Sequence, residues 1–217
     1  MAVNEHAYQQ LMKALTPRCV TLVAVSKIKP VSDIRALYDL GQRDFGENYV
    51  QELLEKKALL PQDIRWHFIG HLQSNKVKYI APFVHLIQGV DSFSLLKEIN
   101  RQAAKNNRII DCLLQVHIAR EETKFGLDEK ELSEIPEKLS VLKNVQVKGL
   151  MGMASFSDDE TLVRAEFQQL KKLFEKSPII NHTSGILSMG MSGDYKIAIE
   201  EGSNMVRVGS LLFGARK

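Results

Sequence analysis

Residues 21–41 read TLVAVSKIKPVSDIRALYDLG. The opening run, Thr21 to Val25, is apolar and rich in β-branched residues, the composition of a strand buried on both faces; TLVAVSK is read as strand through Lys27. The pattern then changes period. In residues 31–41 Ile34, Leu37 and Leu40 fall near helical spacing, Ser32 is placed to cap the helix start and Gly41 to close its end. A buried strand feeding an amphipathic helix is one βα unit, and the fold depends on how often that unit recurs.

Downstream it recurs to the end of the chain. RDFGEN, RWHFIG, VHLIQGVD, DCLLQVHIA, VKGLMGMAS, ILSMGM and NMVRVGSLLFGARK read as further strands. Between them lie helical patterns: NYVQELLEKKALL, LQSNKVKYIAP, SFSLLKEINRQAAKNN, DEKELSEIPEKLSVL, DDETLVRAEFQQLKKLFEK and SGDYKIAIEEGS. Pro136 must bend or shorten the fourth of these, and SPIINHTSG, residues 177–185, is rich in turn formers and left unassigned. The alternation predicts an α/β fold: a single (β/α)8 TIM-like barrel spanning residues 1–217 as one domain, with MAVNEHAYQQLMKAL as an extra N-terminal helix. A doubly wound open sheet stays open as the alternative, because strand count alone does not prove closure.

Composition narrows the function. Of 217 residues, 44% are hydrophobic and 25% charged, values of an ordinary globular chain. The net charge of +3 is spread along the chain with no basic run, so no nucleic-acid partner is expected. The N-terminus carries charge early and lacks the apolar stretch of a signal peptide or membrane span, which predicts a cytoplasmic protein without a membrane partner. Cys19 and Cys112 have no CxxC spacing and read as reduced core thiols.

In such a barrel the C-terminal ends of the strands face the active-site mouth. Lys27 ends the first strand, where partial desolvation would favour the neutral amine that a Schiff-base lysine needs, although a lysine here could equally mark the strand's exit into solvent. Lys29 could lower the Lys27 pKa by repulsion or bind an anion. Asn48, in GENYVQE, could offer its amide to a ring hydroxyl or cap a helix. His67, His71 and Asn75 have spacings that superficially suggest metal but lack an adjacent acidic partner, and no metal site is expected. Lys124 reads as a loop lysine that could reach the mouth.

MGMSGD at 189–194 and RVGS at 207–210 follow the last two strands, where barrels commonly build phosphate sites. Gly190, Gly193 and Gly209 permit close backbone approach, and Ser192 and Ser210 can donate hydroxyls or cap helices. Arg207 lies within a strand, where a permanent charge requires a partner such as a cofactor ring nitrogen.

Taken together, AVSKIKP, FGENYVQE, WHFIGHLQSNK, LMGM, LSMGMSGDY and GSNMVRVGSLLFGAR resemble the pyridoxal-phosphate homeostasis protein family, which is similar to the N-terminal barrel of alanine racemase, the type III fold of pyridoxal 5'-phosphate (PLP) proteins. The resemblance implies that Lys27 carries PLP as a Schiff base, that Ser192, Gly209 and Ser210 hold its phosphate, that Arg207 faces the pyridine nitrogen, and that Asn48 lines the ring. It also implies a monomer. An arginine at that nitrogen disfavours its protonation and makes the ring a poor electron sink.

Alanine racemase draws a second acid/base tyrosine from a further β domain, and this sequence ends after its eighth strand. The expectation is therefore a PLP carrier involved in intracellular PLP homeostasis, without robust turnover, with PLP-dependent enzymes as possible recipients. The alternatives are a small PLP-dependent amino-acid racemase and an interaction module that docks on PLP enzymes.

Overall fold

The first strand pairs in parallel with both the second and the last, and this closes the sheet into an eight-stranded barrel ordered β1 to β8. The strands are β1 (Thr21–Val25), β2 (Asp44–Glu47), β3 (Arg65–Phe68), β4 (Leu86–Val90), β5 (Ile110–Gln115), β6 (Val145–Met151), β7 (Ile186–Ser188) and β8 (Met205–Val208). After α1 (Glu5–Leu15), each strand is followed by its own helix: α2 (Val31–Asp39), α3 (Val50–Leu59), α4 (Val77–Ile80), α5 (Phe93–Lys105), α6 (Glu129–Leu139), α7 (Glu160–Lys176), α8 (Tyr195–Glu200) and α9 (Ser210–Phe213). The computed structural model describes residues 3–121 and 125–214. The ladder from Thr21↔Met205 to Ala24↔Val208 decides between the two expected architectures: an open doubly wound sheet leaves its first and last strands unpaired to each other.

Several boundaries differ from the sequence reading. Strand β1 ends at Val25, and Lys27 lies in the turn beyond it. Helix α2 is entered through Pro30, whose ring fixes φ near the helical value, and Ser32 sits inside the helix and makes no cap; Gly41, at φ +103°, does close it. Helix α6 ends at Leu139, three residues past Pro136, rather than running to Leu142. Residues 210–213 leave the strand and form α9, whose Leu212 carbonyl accepts the Asn4 N–H at 2.9 Å beside α1. Segment 177–185 is a turn organised by Asn181, whose Oδ1 accepts from the Thr183 N–H (3.0 Å) and hydroxyl (2.6 Å), with His182 set edge-on to Phe174. Cys112 is a buried thiol whose pKa burial pushes up, making it inert, but Cys19 is exposed. Among the described residues no helix is long and apolar enough to cross a membrane.

Strand residues alternate between two cores. Phe45, Phe68, Ile87, Cys112, Leu114 and Leu150 pack outward against helix residues such as Phe167 and Leu170. Inside the barrel, Val23, Leu86, Leu113, Met151 and Met205 form an apolar cluster. The interior is completed by buried polar side chains from β2, β3, β4, β7 and β8: Asp44, His67, Gln88, Ser188 and Arg207. Period-two alternation places Gln88 on the same face of its strand as Leu86, and Arg207 on the same face as Met205.

Asp44 anchors the polar side. Arg65 holds both of its oxygens and His67 Nε2 lies 2.9 Å from Oδ1. Burial alone would raise this carboxyl's pKa, but the hydrogen bonds from Arg65 and His67 and the charge of Arg65 outweigh it and hold the value at about 2, against an ordinary 3.8. A depressed carboxylate contributes stability that is fully present above its unfolded pKa and is lost as pH falls through the folded value. Asp44 therefore contributes roughly 1–2 kcal/mol, discounted because Arg65 is half exposed, and that contribution disappears between about pH 4 and pH 2. Urea denaturation at pH 5, 3 and 2 should show Asp44→Asn losing less stability on acidification than the parent by that amount; a gap that stays constant across the series contradicts the assignment.

Candidate functional site

The turn after β1 presents Lys27. Ser26 continues the ladder through its N–H to the Gly46 carbonyl (3.0 Å), and its own carbonyl accepts from the Lys29 N–H (3.0 Å), so residues 26–29 form a tight turn. The third turn position, Ile28, has φ +61°, a left-handed conformation for which glycine is the usual residue and which costs a β-branched side chain about 1–3 kcal/mol. The conformation is held from below: the Ile28 N–H donates to Glu52 Oε1 at 2.5 Å.

Glu52 belongs to a buried node. Lys56 Nζ donates to Glu52 Oε1 (2.6 Å), to Glu47 Oε1 (2.7 Å) and to the Ser26 carbonyl (2.7 Å), while the Ser26 hydroxyl donates to Glu47 Oε1 (2.6 Å). Burial pushes the Glu47 pKa up, and the neighbouring Lys56 only partly offsets it. Two charged side chains from β2 and α3 thus grip both the carbonyl and the side chain of the residue before Lys27. Lys27 itself is half buried.

On the neighbouring strand β8, Arg207 is 3% exposed. Its Nη1 donates to Ser188 Oγ (2.6 Å) and its Nη2 to the Gly152 carbonyl (2.9 Å). Burial lowers its pKa to about 10, with Asp194 acting in the opposite direction. Among the described residues no carboxylate is within ion-pair distance, so the guanidinium stays charged at neutral pH with neutral partners only. The Asn48 Oδ1 is buried without a hydrogen-bond partner, an acceptor left for a ligand to fill. Gly70 makes its position possible, since a Cβ there would stand 2.6 Å from the Asn48 carbonyl. On the remaining side, Ser192 Oγ accepts the Gly209 N–H at 3.2 Å and so ties the β7–α8 loop to the β8–α9 loop, with its own hydrogen free to point elsewhere.

Lys27, Asn48, Ser192, Arg207, Gly209 and Ser210 all line one cavity of about 630 Å³ at the C-terminal ends of the strands. Gly193 lines it too, with nothing within 4 Å of where a Cβ would stand. Gly190 does not; its φ of +96° and its close approach to Ala198 serve the packing of α8. Neither Ser192 nor Ser210 caps a helix, and Asn48 precedes the α3 N-cap position, Tyr49. Lys29 lines the cavity as well, and its Nζ donates to the Phe213 and Gly214 carbonyls, fastening the turn to the end of α9.

His67 points into the barrel interior, while His71 pairs with Asp91 (2.7 Å) and stacks on Phe125. Asn75 lies in a short 3-10 turn ahead of α4. Asp44, His67 and His85 bring donor atoms within 4.8 Å of one another; Asp44 is engaged with His67 and Arg65, and His67 with Asp44 and Gln88. Lys124 is outside the described residues. Sequence reading missed Ser188, the Glu47–Lys56–Glu52 node and the β6–α7 loop, where Met153 to Asp158 form one cavity wall. The spacing of Glu52 and Lys56, four apart on a helix, was the one available signal for the node.

Residues 4–217 match the family model of the alanine racemase N-terminal domain. Among curated relatives, the pyridoxal phosphate homeostasis protein of Aquifex aeolicus is 44% identical over 201 residues, 92% of this chain and 88% of that protein. That of Schizosaccharomyces pombe is 39% identical over 213 residues, 95% and 89% of the two chains. Among solved structures, PipY of Synechococcus elongatus with PLP bound superposes with a TM-score of 0.87 at 36% identity, over 96% of this chain and 99% of PipY. Alanine racemase from Bartonella henselae shares the fold, with a TM-score of 0.76 at 20% identity over 94% of this chain and 59% of the racemase.

The node makes its own prediction. Lys56→Met strands the Glu47 carboxyl in the interior and should lower the unfolding free energy by about 3–5 kcal/mol. Adding Glu47→Gln removes the stranded charge and should recover part of the loss. A double-mutant cycle by urea denaturation reads the coupling; strictly additive effects would mean that the two side chains do not act as a pair.

Proposed function

This chain belongs to the pyridoxal phosphate homeostasis protein family, and from that premise we propose that it binds PLP covalently through Lys27 and holds it, as a cytoplasmic monomer, for transfer to PLP-dependent enzymes. The observation that carries the reading is the convergence of Lys27, Asn48, Ser192, Arg207, Gly209 and Ser210 on one cavity from the ends of β1, β2, β7 and β8. When bound, the cofactor supplies an aldehyde that condenses with a primary amine, a phosphate and a pyridine ring.

This chain's residues meet those three groups separately. The Lys27 amine, carried into the cavity lining by the locked turn, would be the nucleophile for such an aldehyde, with loss of one water. Ser192, Gly209 and Ser210 supply hydroxyl and backbone donors for the phosphate. Asn48 Oδ1, unpartnered and buried, can accept the proton of a ring hydroxyl. Arg207, a donor with no acceptor, would face the ring nitrogen and would disfavour its protonation.

That last contact separates retention from catalysis. Withdrawal of electrons from a substrate carbon relies on a protonated ring nitrogen, and a guanidinium opposes that protonation. A carrier that releases its cofactor intact therefore suits the site better than a racemase, which also needs a second proton donor on the opposite face.

Borohydride reduction followed by peptide mapping should label the peptide containing Lys27, and Lys27→Ala should lose both the label and the visible absorbance. Ser192→Ala and Ser210→Ala should each weaken PLP binding roughly tenfold. Label on another lysine, or a yellow Lys27→Ala protein, rejects the assignment. Chiral chromatography after incubation with a panel of amino acids checks the second half: robust racemisation abolished by Lys27→Ala would replace the carrier reading with the enzyme.

A further inference from the structure

The polar side chains inside the barrel form one continuous line of hydrogen bonds. It runs from Arg207 Nη1 to Ser188 Oγ (2.6 Å), from Ser188 Oγ to Gln88 Oε1 (2.7 Å), from Gln88 Nε2 to His67 Nδ1 (3.0 Å), and from His67 Nε2 to Asp44 Oδ1 (2.9 Å). Every member is buried, and the line ties β8, β7, β4, β3 and β2 together across the barrel. It begins in the cavity that holds Lys27 and ends at Asp44, whose carboxylate Arg65 fixes from the other side.

Its direction is dictated by chemistry. A guanidinium has donors and no acceptor, so Ser188 Oγ must accept from Arg207. The single hydroxyl hydrogen of Ser188 is then the one given to Gln88, which sets the amide with its oxygen toward Ser188 and its nitrogen toward His67. The same nitrogen lies 3.3 Å from Met205 Sδ, a weak acceptor, so both amide hydrogens have somewhere to go. His67 Nδ1 must therefore accept, its proton resides on Nε2, and that proton goes to Asp44, which as a carboxylate can only accept. With His67 neutral, turning the Gln88 amide over would put the His67 proton on Nδ1 and leave a bare Nε2 facing the Asp44 carboxylate, two acceptors in a site closed to water.

We propose that Ser188, Gln88, His67 and Asp44 are positioning residues for Arg207, a one-way chain that pins one arm of the guanidinium and orients its remaining hydrogens toward the cavity. On the reading given above, those hydrogens meet the ring nitrogen of PLP. The chain thereby extends control of the ring's protonation to side chains on the far side of the barrel that never touch the cofactor. Gln88 is the decisive link, because it alone converts the hydroxyl of Ser188 into the tautomer of His67.

Two experiments separate this inference from the PLP reading. In the cofactor-free protein, ¹⁵N resonances of the His67 ring should report a proton on Nε2 and an unprotonated Nδ1; a proton on Nδ1 overturns the chain whether or not PLP binds. In the loaded protein, Gln88→Met keeps the length of the side chain but cannot accept from Ser188 through oxygen or donate to His67. It should shift the absorbance maximum of bound PLP and raise its Kd about tenfold. Leu113→Ala, in the apolar part of the interior, should cost stability and leave that maximum unchanged. Should Gln88→Met fail to fold, His67→Asn, which preserves the acceptor for Gln88 and loses Asp44, should give the same shift at smaller amplitude. A spectrum and a Kd within twofold of the parent in the folded variant overturn the proposal.

Discussion

The pairing of β1 with β8 is the constraint from which the site follows. Parallel register sets Val23 beside Arg207 and Ala24 beside Val208, so the turn leaving β1 and the turn leaving β8 emerge side by side. Val25 and Gly209 touch there: a Cβ on Gly209 would stand 3.2 Å from the Val25 carbonyl. In a doubly wound sheet the first strand is central and the last lies at an edge, separated from it by other strands, and the turn bearing Lys27 would not emerge beside the glycine and serine of the last turn.

Closure sets positions but not conformations, and the chain fixes those with buried charge. Burying Glu47 and Lys56 carries a desolvation cost that well-packed apolar side chains would avoid. In return Lys56 gathers the Ser26 carbonyl and two carboxylates around one nitrogen, and Glu52 holds Ile28 in a backbone state its side chain disfavours. Lys29 adds a second tether, to the end of α9. A flexible loop would present Lys27 too; a loop clamped from β2, α3 and α9 fixes the backbone from which that side chain extends.

How much of this could be read from the sequence divides along physical lines. Alternating period-two and period-3.6 patterns are local, and they located all eight strands and most helices. Polar residues closing apolar strands are also local signals, which is why Lys27, Asn48, Arg207 and the serines could be picked out before any pairing was known. Closure, by contrast, rests on contact between residues about 180 positions apart, and nothing in TLVAV or MVRV specifies it. Ile28 carries no sign of its positive φ, because the cause is Glu52, 24 residues away. Lys56 sits in EKKAL beside Lys57, where composition suggests a solvated helix face, yet it is buried. Ser188 reads as an ordinary strand serine until Gln88, 100 residues earlier, is placed against it.

The interior line from Arg207 to Asp44 explains why a barrel would carry polar groups where leucines would pack. A lone arginine at the cavity floor could swing or draw in water. Held by Ser188 and the Gly152 carbonyl, with its pKa lowered only to about 10, it remains a cation at neutral pH and therefore a donor only. If a pyridine binds as proposed, a donor-only group opposite its ring nitrogen would favour the unprotonated ring, the state least able to stabilise a carbanion. On the proposed reading, the side chain that would make the pocket hospitable to a pyridine would also work against its most reactive chemistry, and four further buried polar residues, Ser188, Gln88, His67 and Asp44, stand in line behind it.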